Sequence, residues 1–320
     1  MILKVIHNRD EFCRLSEPAL GVFGSREWLA VYGDTITIVG IYKDELQLIG
    51  GFYFLNTKKY GFNFLKLPPY TPHCGLFFHS ESKNKSSYHN FSKEVISEVC
   101  SYFSEISAAL TILAFPSNII DLQPFIWGKY KVVPNYTYRI DLRNPLETIK
   151  SNFDPKTRNV INKATKDGVD VYESKITGNE LFTFFKNTLV SAGANVYEDF
   201  LRKIFLEFST PSNSFSVQAF KNQKLVGAVF CIYDKTSCYY LLGGVDKAAG
   251  IQGINAMLVA KSIEKAAELG CTIFDFEGSM LKGVEKFFRG FGAELVPFYT
   301  ANKAKLPIEI LLKFKKRELF

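Results

Sequence analysis

Two acidic residues in an alternating stretch are the first candidates for chemistry. In Phe274-Asp275-Phe276-Glu277-Gly278 the carboxylates alternate with phenylalanines, so both point to one face of a strand end. Such a pair either binds a nearby Arg or Lys, or one member has a raised pKa and deprotonates an attacking amine. Arg289, which follows in the chain, is their expected partner in either case.

Tyrosines and a serine lie beside this stretch in the sequence. Tyr239 and Tyr240 alternate faces, so one is expected in the core, and Tyr240 is a candidate proton donor to a leaving group. Ser279 is expected to be the N-cap of a short helix. No Ser-His-Asp or Cys-His pattern has a recognisable spacing. Direct attack in a ternary complex is therefore predicted rather than a covalent acyl-enzyme. The predicted catalytic residues are Asp275, Glu277, Arg289 and Tyr240.

A glycine-rich turn precedes the long helical pattern that ends near Leu269. The backbone N–H groups at a helix N-terminus can receive a phosphate or an acyl carbonyl. The same glycines would also suit a simple turn at the helix start. Apart from these amides, the only donor near the helix start is the side chain of Asn255, because no charge follows until Lys261. The predicted cofactor-binding residues are Gly250, Gln252, Gly253 and Asn255.

Basic residues project from an earlier helix, which Pro155 opens in its first turn. Arg158 and Lys163 lie off its apolar side. They are either solvated charges or ligands for a phosphate or carboxylate of the acceptor, since Arg suits bidentate contact and Lys a point charge.

The composition of the chain indicates the number of domains and the kind of partner that these candidate residues could serve. The chain has 320 residues, 47% of them hydrophobic, which is enough for two domains with proper cores. A net charge of +7 suits an anionic partner such as CoA, a nucleotide-sugar, tRNA or an anionic membrane face. The six cysteines form no C-x-x-C, and the four histidines are not at ligand spacing. Free core thiols and no metal site are therefore predicted.

No signal peptide and no apolar run of about 18 residues are found, so we expect a cytoplasmic protein without a transmembrane segment. The order of elements predicts an α+β fold. The second part reads strand, two helices, three-stranded meander, long helix, strand, short helix and strand, and the first part is a looser version of this order. The predicted domains are residues 1–145, residues 146–302, and a basic and apolar tail, 303–320.

Four motifs carry a resemblance to a known superfamily. Ser25-Arg26-Glu27-Trp28 resembles an early "S-x-x-W" helix start, and residues 158–164 resemble "R-x-x-I-x-x-A". Residues 274–278 resemble "Y-D-F-x-G", and residues 283–292 resemble "G-[IV]-x-x-F-K-x-x-F-G". The chain is thus similar to the FemAB-like and GNAT-type acyltransferases, among them the Fem peptidyltransferases and polysaccharide-biosynthesis acetyltransferases. The resemblance implies two tandem GNAT-like (acyl-CoA N-acyltransferase) domains, with mixed central sheets flanked by helices.

Two positions depart from the family patterns. Phe288 stands where the motif has Lys, and in the Fem enzymes that lysine lies near the reacting centre. In the CoA signature Q/R-x-x-G-x-G/A, Gln252 replaces the small residue. Its side chain would crowd a pyrophosphate unless the turn is remodelled around Gly253.

The resemblance implies transfer of an acetyl or aminoacyl group to an amine of a cell-envelope or nucleotide-linked sugar or peptide precursor. Acyl-CoA and aminoacyl-tRNA are the candidate donors, and no tightly bound cofactor is expected. No long charged heptad segment like the arm of some Fem enzymes is evident, which favours CoA or another small donor. Expected partners are a small-molecule, glycan or peptide precursor, with tRNA as a candidate, no DNA, and peripheral contact with a membrane. The rival hypothesis is a non-catalytic binding protein on a degenerate fold of this kind.

Overall fold

The structure is a computed structural model that describes residues 1–278 and 280–315. Ser279, the expected N-cap, and the end of the predicted tail lie outside the described residues. The chain forms two compact units: residues 1–135 with the segment that begins at Pro297, and residues 136–296. The domain bounds given above remain a prediction.

The N-terminal unit begins with a strand and two helices, and a three-stranded meander follows. Side chains cap both helices: Asn8 accepts a hydrogen bond from the Asp10 N–H and Ser25 accepts one from the Trp28 N–H. In chain order its elements are β1 (Ile2–Val5), α1 (Arg9–Leu20), α2 (Arg26–Tyr32), β2 (Ile36–Tyr42), β3 (Leu48–Lys59), β4 (Phe62–Lys66), β5 (Phe77–Phe78), α3 (Lys85–Glu105), β6 (Ala108–Ala114), α4 (Gln123–Trp127) and β7 (Lys131–Asp141), which leads into the second unit.

The C-terminal unit repeats the same order of elements after two extra helices. A short π-helical turn, Ile204–Phe208, follows its helix α8. In chain order its elements are α5 (Leu146–Ser151), α6 (Pro155–Lys166), β8 (Asp170–Glu173), α7 (Gly178–Ser191), α8 (Glu198–Lys203), β9 (Ser214–Lys221), β10 (Lys224–Tyr233), β11 (Ser237–Val245), α9 (Ile254–Glu268), β12 (Ile273–Asp275), α10 (Lys282–Arg289) and β13 (Glu294–Ala304), which returns to the first unit ahead of α11 (Leu306–Lys315).

Each unit contains a mixed sheet, as the family resemblance implied. In the N-terminal unit the strand order is β1-β2-β3-β4-β6-β13, with β5 beside β3, and β4 and β6 are parallel. In the C-terminal unit the order is β7-β12-β11-β10-β9-β8, and β11 and β12 are parallel. A parallel pair needs a helical crossover, which α3 supplies in the first unit and α9 in the second.

The hydrophobic core of the C-terminal unit surrounds this crossover. Helix α9 buries Leu258 and Val259 completely, and Phe274 of β12 is also fully buried. Phe276 and Phe288 belong to the same cluster. The core therefore fixes both the start of α9 and the end of β12, the two places at which sequence candidates lie.

All six cysteines are buried and free, as the sequence predicted. Within residues 1–278 and 280–315, no helix is both long and apolar enough to span a membrane. No group of three or more potential metal ligands is assembled in the part of the chain that the structure describes.

Candidate functional site

The parallel strands β11 and β12 are paired over only three residues. Ser237, Cys238 and Tyr239 lie opposite Ile273, Phe274 and Asp275. Strand β11 continues through residues 240–245, and on that side no strand pairs with it among the described residues. The described part of the two strands thus leaves an edge without a pairing strand at the carboxyl end of β12. Parallel sheets commonly bind ligands at such edges.

Asp275 is buried at this edge and accepts three hydrogen bonds. Thr137 Oγ1 donates to Asp275 Oδ1 over 2.6 Å, and Arg139 Nε donates to Oδ2 over 2.6 Å. The backbone N–H of Glu277 donates to Oδ1 over 2.8 Å. The Asp275 side chain is only 4% exposed, so its charge is compensated by these donors. Asp275 therefore holds the turn that follows it.

The expected pairing of the acidic residues with Arg289 was wrong. Arg139 lies directly opposite Asp275 in the antiparallel pair of β7 and β12, which places its guanidinium on the carboxylate. Arg289 pairs instead with Glu285, one helical turn earlier, with 2.9 Å between Nε and Oε1. The i,i+4 spacing within α10 favours this local contact, and the Arg289 side chain is mostly exposed.

Glu277 has an unusual backbone conformation for a glutamate. Its φ of 62° lies in the left-handed region, which costs free energy in a residue with a Cβ. The Asp275 carboxylate binds its N–H, and Thr137 Oγ1 accepts the N–H of Gly278 over 3.0 Å. Two side chains therefore hold a strained turn in place, which is common at functional sites.

The carboxyl group of Glu277 has the electrostatics of a general base. Burial raises its pKa well above the usual range, the Asp275 charge raises the pKa further, and Arg139 lowers it. Glu277 is half-buried, and its hydrogen bond to Asp275 is made by the backbone N–H and not by the carboxyl. A carboxyl with a raised pKa is suited to proton transfer.

The two tyrosines on β11 occupy different surroundings. Burial raises the pKa of Tyr239, and the charges of Asp234, Glu277 and Asp275 raise it further. The Tyr240 ring packs against Phe288, with 5.5 Å between centroids, and its hydroxyl lies beside Gly243. Burial also raises the pKa of Tyr240, while a hydrogen bond with Asn255 lowers it.

Tyr240 and Asn255, two of the candidates, are thus brought together at the start of α9. The Asn255 Oδ1 atom is buried and has no hydrogen-bond partner in the described part of the chain. A buried polar oxygen without a partner costs free energy. This orphaned acceptor is therefore a position at which a ligand could donate a hydrogen bond.

The glycines before α9 have two different roles. At Gly253, with φ of 85°, an added Cβ would lie 2.2 Å from the Val160 carbonyl oxygen, so glycine is required where α9 begins against α6. At Gly250, with φ of 65°, an added Cβ would meet no atom within 4 Å. No side chain caps the helix at Gly253, and its first N–H groups are therefore not satisfied by a cap.

The two basic candidates on α6 contact different neighbours. Lys163 Nζ donates to Gln252 Oε1 over 3.1 Å, which ties α6 to the turn before α9. Arg158 donates to the backbone carbonyls of Ser151 and Phe153, at the C-terminal end of α5. The structure brings Lys163 to the glycine turn, whereas Arg158 closes a helix end.

Phe288 is a core residue. It is 4% exposed, and its ring centroid lies 4.5 Å from that of Phe276. A lysine at this place would need to remove its ammonium group from water. Phe288, which replaces the lysine of the family motif, therefore lies in an apolar environment.

Sequence reasoning missed Thr137 and Arg139. They lie two residues apart on β7, both on the face that carries Asp275. Both alternate with larger neighbours in Tyr136-Thr137-Tyr138-Arg139-Ile140. Two polar residues at period 2 in a buried strand are a signal of a polar site.

The order of elements, the crossover helix and the open edge of a parallel pair define a GNAT-type fold. Residues 157–289 match the family model described as an acetyltransferase (GNAT) domain. These residues are therefore similar to a GNAT acetyltransferase domain, and the resemblance predicted from the motifs is confirmed for this stretch. No curated protein matches the sequence.

Solved structures share the fold over almost the whole chain. FemX aligns with a TM-score of 0.63 at 13% identity, covering 98% of this chain and 100% of that one. L-PGS from Bacillus licheniformis gives a TM-score of 0.55 at 13% identity, over 97% and 96%. A tandem GNAT protein from the clavulanic acid biosynthesis pathway gives 0.53 at 8%, over 94% and 98%. These likenesses confirm the predicted tandem fold.

Proposed function

We propose that the protein transfers an acyl group to an amine and that Glu277 is the general base. The observation that supports this most is the raised pKa of Glu277 at the open edge of β11 and β12. A GNAT domain and a fold shared with FemX agree with acyl transfer as the reaction class. Asp275 and Arg139 then act as positioning residues, because they hold the turn of Glu277.

In the proposed step the amine lone pair attacks the acyl carbonyl carbon. A carbon–nitrogen bond forms, and Glu277 accepts the proton that the amine loses. The backbone N–H groups of β11 beyond Tyr239, which no described strand pairs on this side, are suited to stabilise the oxyanion. The bond to the donor sulfur or oxygen then breaks, and Tyr240 is the proposed proton source for the leaving atom. Glu277 finally releases its proton to solvent, and Tyr240 takes one up from solvent, so that both groups return to their starting state.

Two donors are compatible with this site. For acyl-CoA, the uncapped start of α9 and Asn255 Oδ1 are proposed to bind the donor, with Gly250 and Gln252 alongside. For aminoacyl-tRNA, Lys163 and other exposed lysines of α6 would contact phosphates. The proposed acceptor is an amine of a sugar or peptide precursor, with Arg158 and Lys163 as candidate contacts. We favour acyl-CoA, because Lys163 already binds Gln252 at the glycine turn.

The test measures turnover and binding separately. Acetyl-CoA and aminoacyl-tRNA are each supplied with a panel of amino-sugar and peptide amines, and products are followed by mass spectrometry. CoA alone is added in a thermal-shift assay; at 100 times Kd it should stabilise the fold by about 2.7 kcal/mol. Glu277→Gln should lower turnover at least about 100-fold and keep CoA binding, whereas the exposed Glu268→Gln should change neither.

A second candidate function is binding without catalysis. Phe288, buried where the family motif has a lysine, is the observation that favours it. On this hypothesis CoA or an acceptor still stabilises the fold, but no donor is turned over. Wild-type protein that binds ligand and has the same activity as Glu277→Gln would support this second function and exclude the first.

A further inference from the structure

Helix α11 exposes an apolar stripe on one side. Successive helical residues are rotated by about 100°, which places the four exposed apolar side chains within about 140° of one another. Lys313 and Lys315 flank this stripe on its two sides, while Ile308 and Leu312 are half-buried on the opposite side. The stripe consists of Leu306, Ile310, Leu311 and Phe314.

A second exposed apolar feature lies at the tip of the hairpin between β3 and β4. Tyr60 is 85% exposed and Phe62 is 48% exposed. Lys58 and Lys59 precede them and are exposed as well, and Lys59 Nζ lies 5.3 Å from the centroid of the Tyr60 ring. The tip thus combines two aromatic rings with two ammonium groups.

The helix and the hairpin tip lie at the same end of the N-terminal sheet. Lys305, the residue before α11, places its Nζ 5.2 Å from the centroid of the Phe62 ring. The Lys305 N–H donates to Ala109 O over 3.0 Å, and Asn63 Nδ2 donates to Ser107 O over 3.1 Å. The start of α11, the start of β6 and the hairpin tip are therefore neighbours. We call the surface formed by Lys58, Lys59, Tyr60, Phe62, Lys305 and the exposed side of α11 the basic apolar face.

We propose that the basic apolar face binds to the surface of an anionic lipid bilayer. It carries five lysines, and its one glutamate, Glu309, is already paired with Lys313 over 2.7 Å. Interfacial helices have this combination of an apolar stripe and flanking lysines, and aromatic rings with polar tips lie at the headgroup level. Lysines near the membrane surface attract it when its lipids are anionic.

The helix is suited to lie on a membrane and too short to cross one. Its ten residues span about 15 Å, half the thickness of a hydrocarbon core. A water-filled interface with another protein would not require lysines on both sides of the stripe. The charge complementarity therefore favours lipid over a second copy of the chain.

Vesicle flotation of the full chain tests this proposal without any acyl donor. The probes are vesicles of phosphatidylcholine alone and vesicles containing phosphatidylglycerol. We expect binding to the anionic vesicles that weakens as salt is added, and little binding to the neutral ones. Leu311→Glu should lower the partition coefficient at least about tenfold, and replacing Lys58 or Lys59 by Gln should lower it about fivefold for each lysine.

The control is Leu46→Glu, which introduces the same charge at another exposed leucine; Leu46 is 88% exposed and Leu311 is 51% exposed. Leu46 precedes β3 and Tyr60 follows it, so about 40 Å of strand separates this control from the hairpin tip. Leu46→Glu should bind anionic vesicles like the wild type. Equal binding of Leu311→Glu and wild type, or no binding to anionic vesicles, would overturn the proposal. A dimer in sedimentation that Leu311→Glu dissociates, with no vesicle binding, would identify a second copy as the occupant.

The outcome does not depend on the proposed function. Vesicle binding can be present in a protein with no transferase activity, and a soluble transferase can lack it. Glu277→Gln should bind anionic vesicles as the wild type does, so failure of one proposal is distinguishable from failure of the other.

Discussion

The two units follow the same order of elements, and each contains one parallel strand pair, but the ends of these pairs differ. In the N-terminal unit β4 and β6 pair around Phe64 and Leu65. The chain then returns and occupies the space beyond the pair. Cys74 donates its N–H to Ala114 O and accepts a hydrogen bond from the Tyr53 N–H, both over 2.8 Å. The edge is therefore satisfied by the unit's own backbone.

In the C-terminal unit no strand among residues 136–278 and 280–296 fills the corresponding edge. Residues 240–245 of β11 extend past the pair, and a short glycine turn leads directly into α9. In the N-terminal unit a loop with three prolines, residues 67–84, takes the place of this turn. The difference teaches that a shared fold provides a ligand site only where the connecting segment leaves the edge free. We therefore expect donor binding in the C-terminal unit alone.

The largest expected effect is the loss of activity when Glu277, at the open edge, is replaced by Gln. General base catalysis contributes about 10²- to 10⁴-fold, so kcat/KM should fall by at least about 100-fold. A base with a raised pKa also predicts that the wild-type rate falls as pH decreases through that pKa. Steady-state kinetics across pH measure both. A variant rate within a factor of about two of the wild type would remove Glu277 from the mechanism.

Next in size is the loss of Asp275, which supports the same turn. Asp275→Ala leaves Arg139 and Thr137 without their acceptor and should destabilise the fold by about 3 kcal/mol in urea unfolding. The matched control is Asp141→Ala, because Asp141 pairs with Arg143 on the surface. Such exposed pairs contribute about 1 kcal/mol or less. Equal costs in the two variants would contradict the role of Asp275.

Substitution of Gly75 and of Gly250 tests whether the edge of the N-terminal unit is filled and that of the C-terminal unit is open. Both glycines have positive φ, but an added Cβ at Gly75 would lie 2.1 Å from the Tyr53 ring, whereas at Gly250 it would meet nothing within 4 Å. Gly75→Ala should therefore cost about 2–4 kcal/mol, the sum of conformational strain and overpacking, and Gly250→Ala about 1–2 kcal/mol. Chemical denaturation measures both. A Gly75→Ala cost no larger than that of Gly250→Ala would mean that the N-terminal edge is not tightly filled.

The smallest effect is a gain in stability at the open edge. Because folding raises the pKa of Glu277 above its ordinary 4.5, the folded state favours the protonated carboxyl. Stability from this group is present below the ordinary pKa and is lost as pH rises through the raised one. Glu277→Gln should therefore have a higher Tm than the wild type at about pH 8, with a smaller difference at about pH 4. A lower Tm than the wild type at the higher pH would contradict the burial of a charged Glu277.

The sequence predicted the repeated element order and the acidic turn, because these depend on local periodicity and on Gly and Pro positions, whereas the mixed sheets were implied by the family resemblance. The candidates Lys163 and Gln252 proved to be in contact, as did Tyr240 and Asn255. In the meander of the first part the sequence predicted strands over residues 35–42 and 46–56 but none over Phe62–Lys66, because these five residues follow a glycine turn and alternate little. Without β4 the closed edge of the N-terminal unit could not be predicted.

The acidic turn shows which features of the site the sequence could predict and which it could not. The alternation of Phe274, Asp275, Phe276 and Glu277 predicted both carboxylates on one face of a strand end, but β12 ends at Asp275 and Glu277 lies in the turn that follows, with a φ of 62°. Only the tertiary structure selected Arg139 over Arg289, since strand neighbours pair residues 136 positions apart in the chain. It also decided that Asp275 accepts three hydrogen bonds while burial raises the pKa of Glu277, because burial and hydrogen bonding depend on which elements pack together.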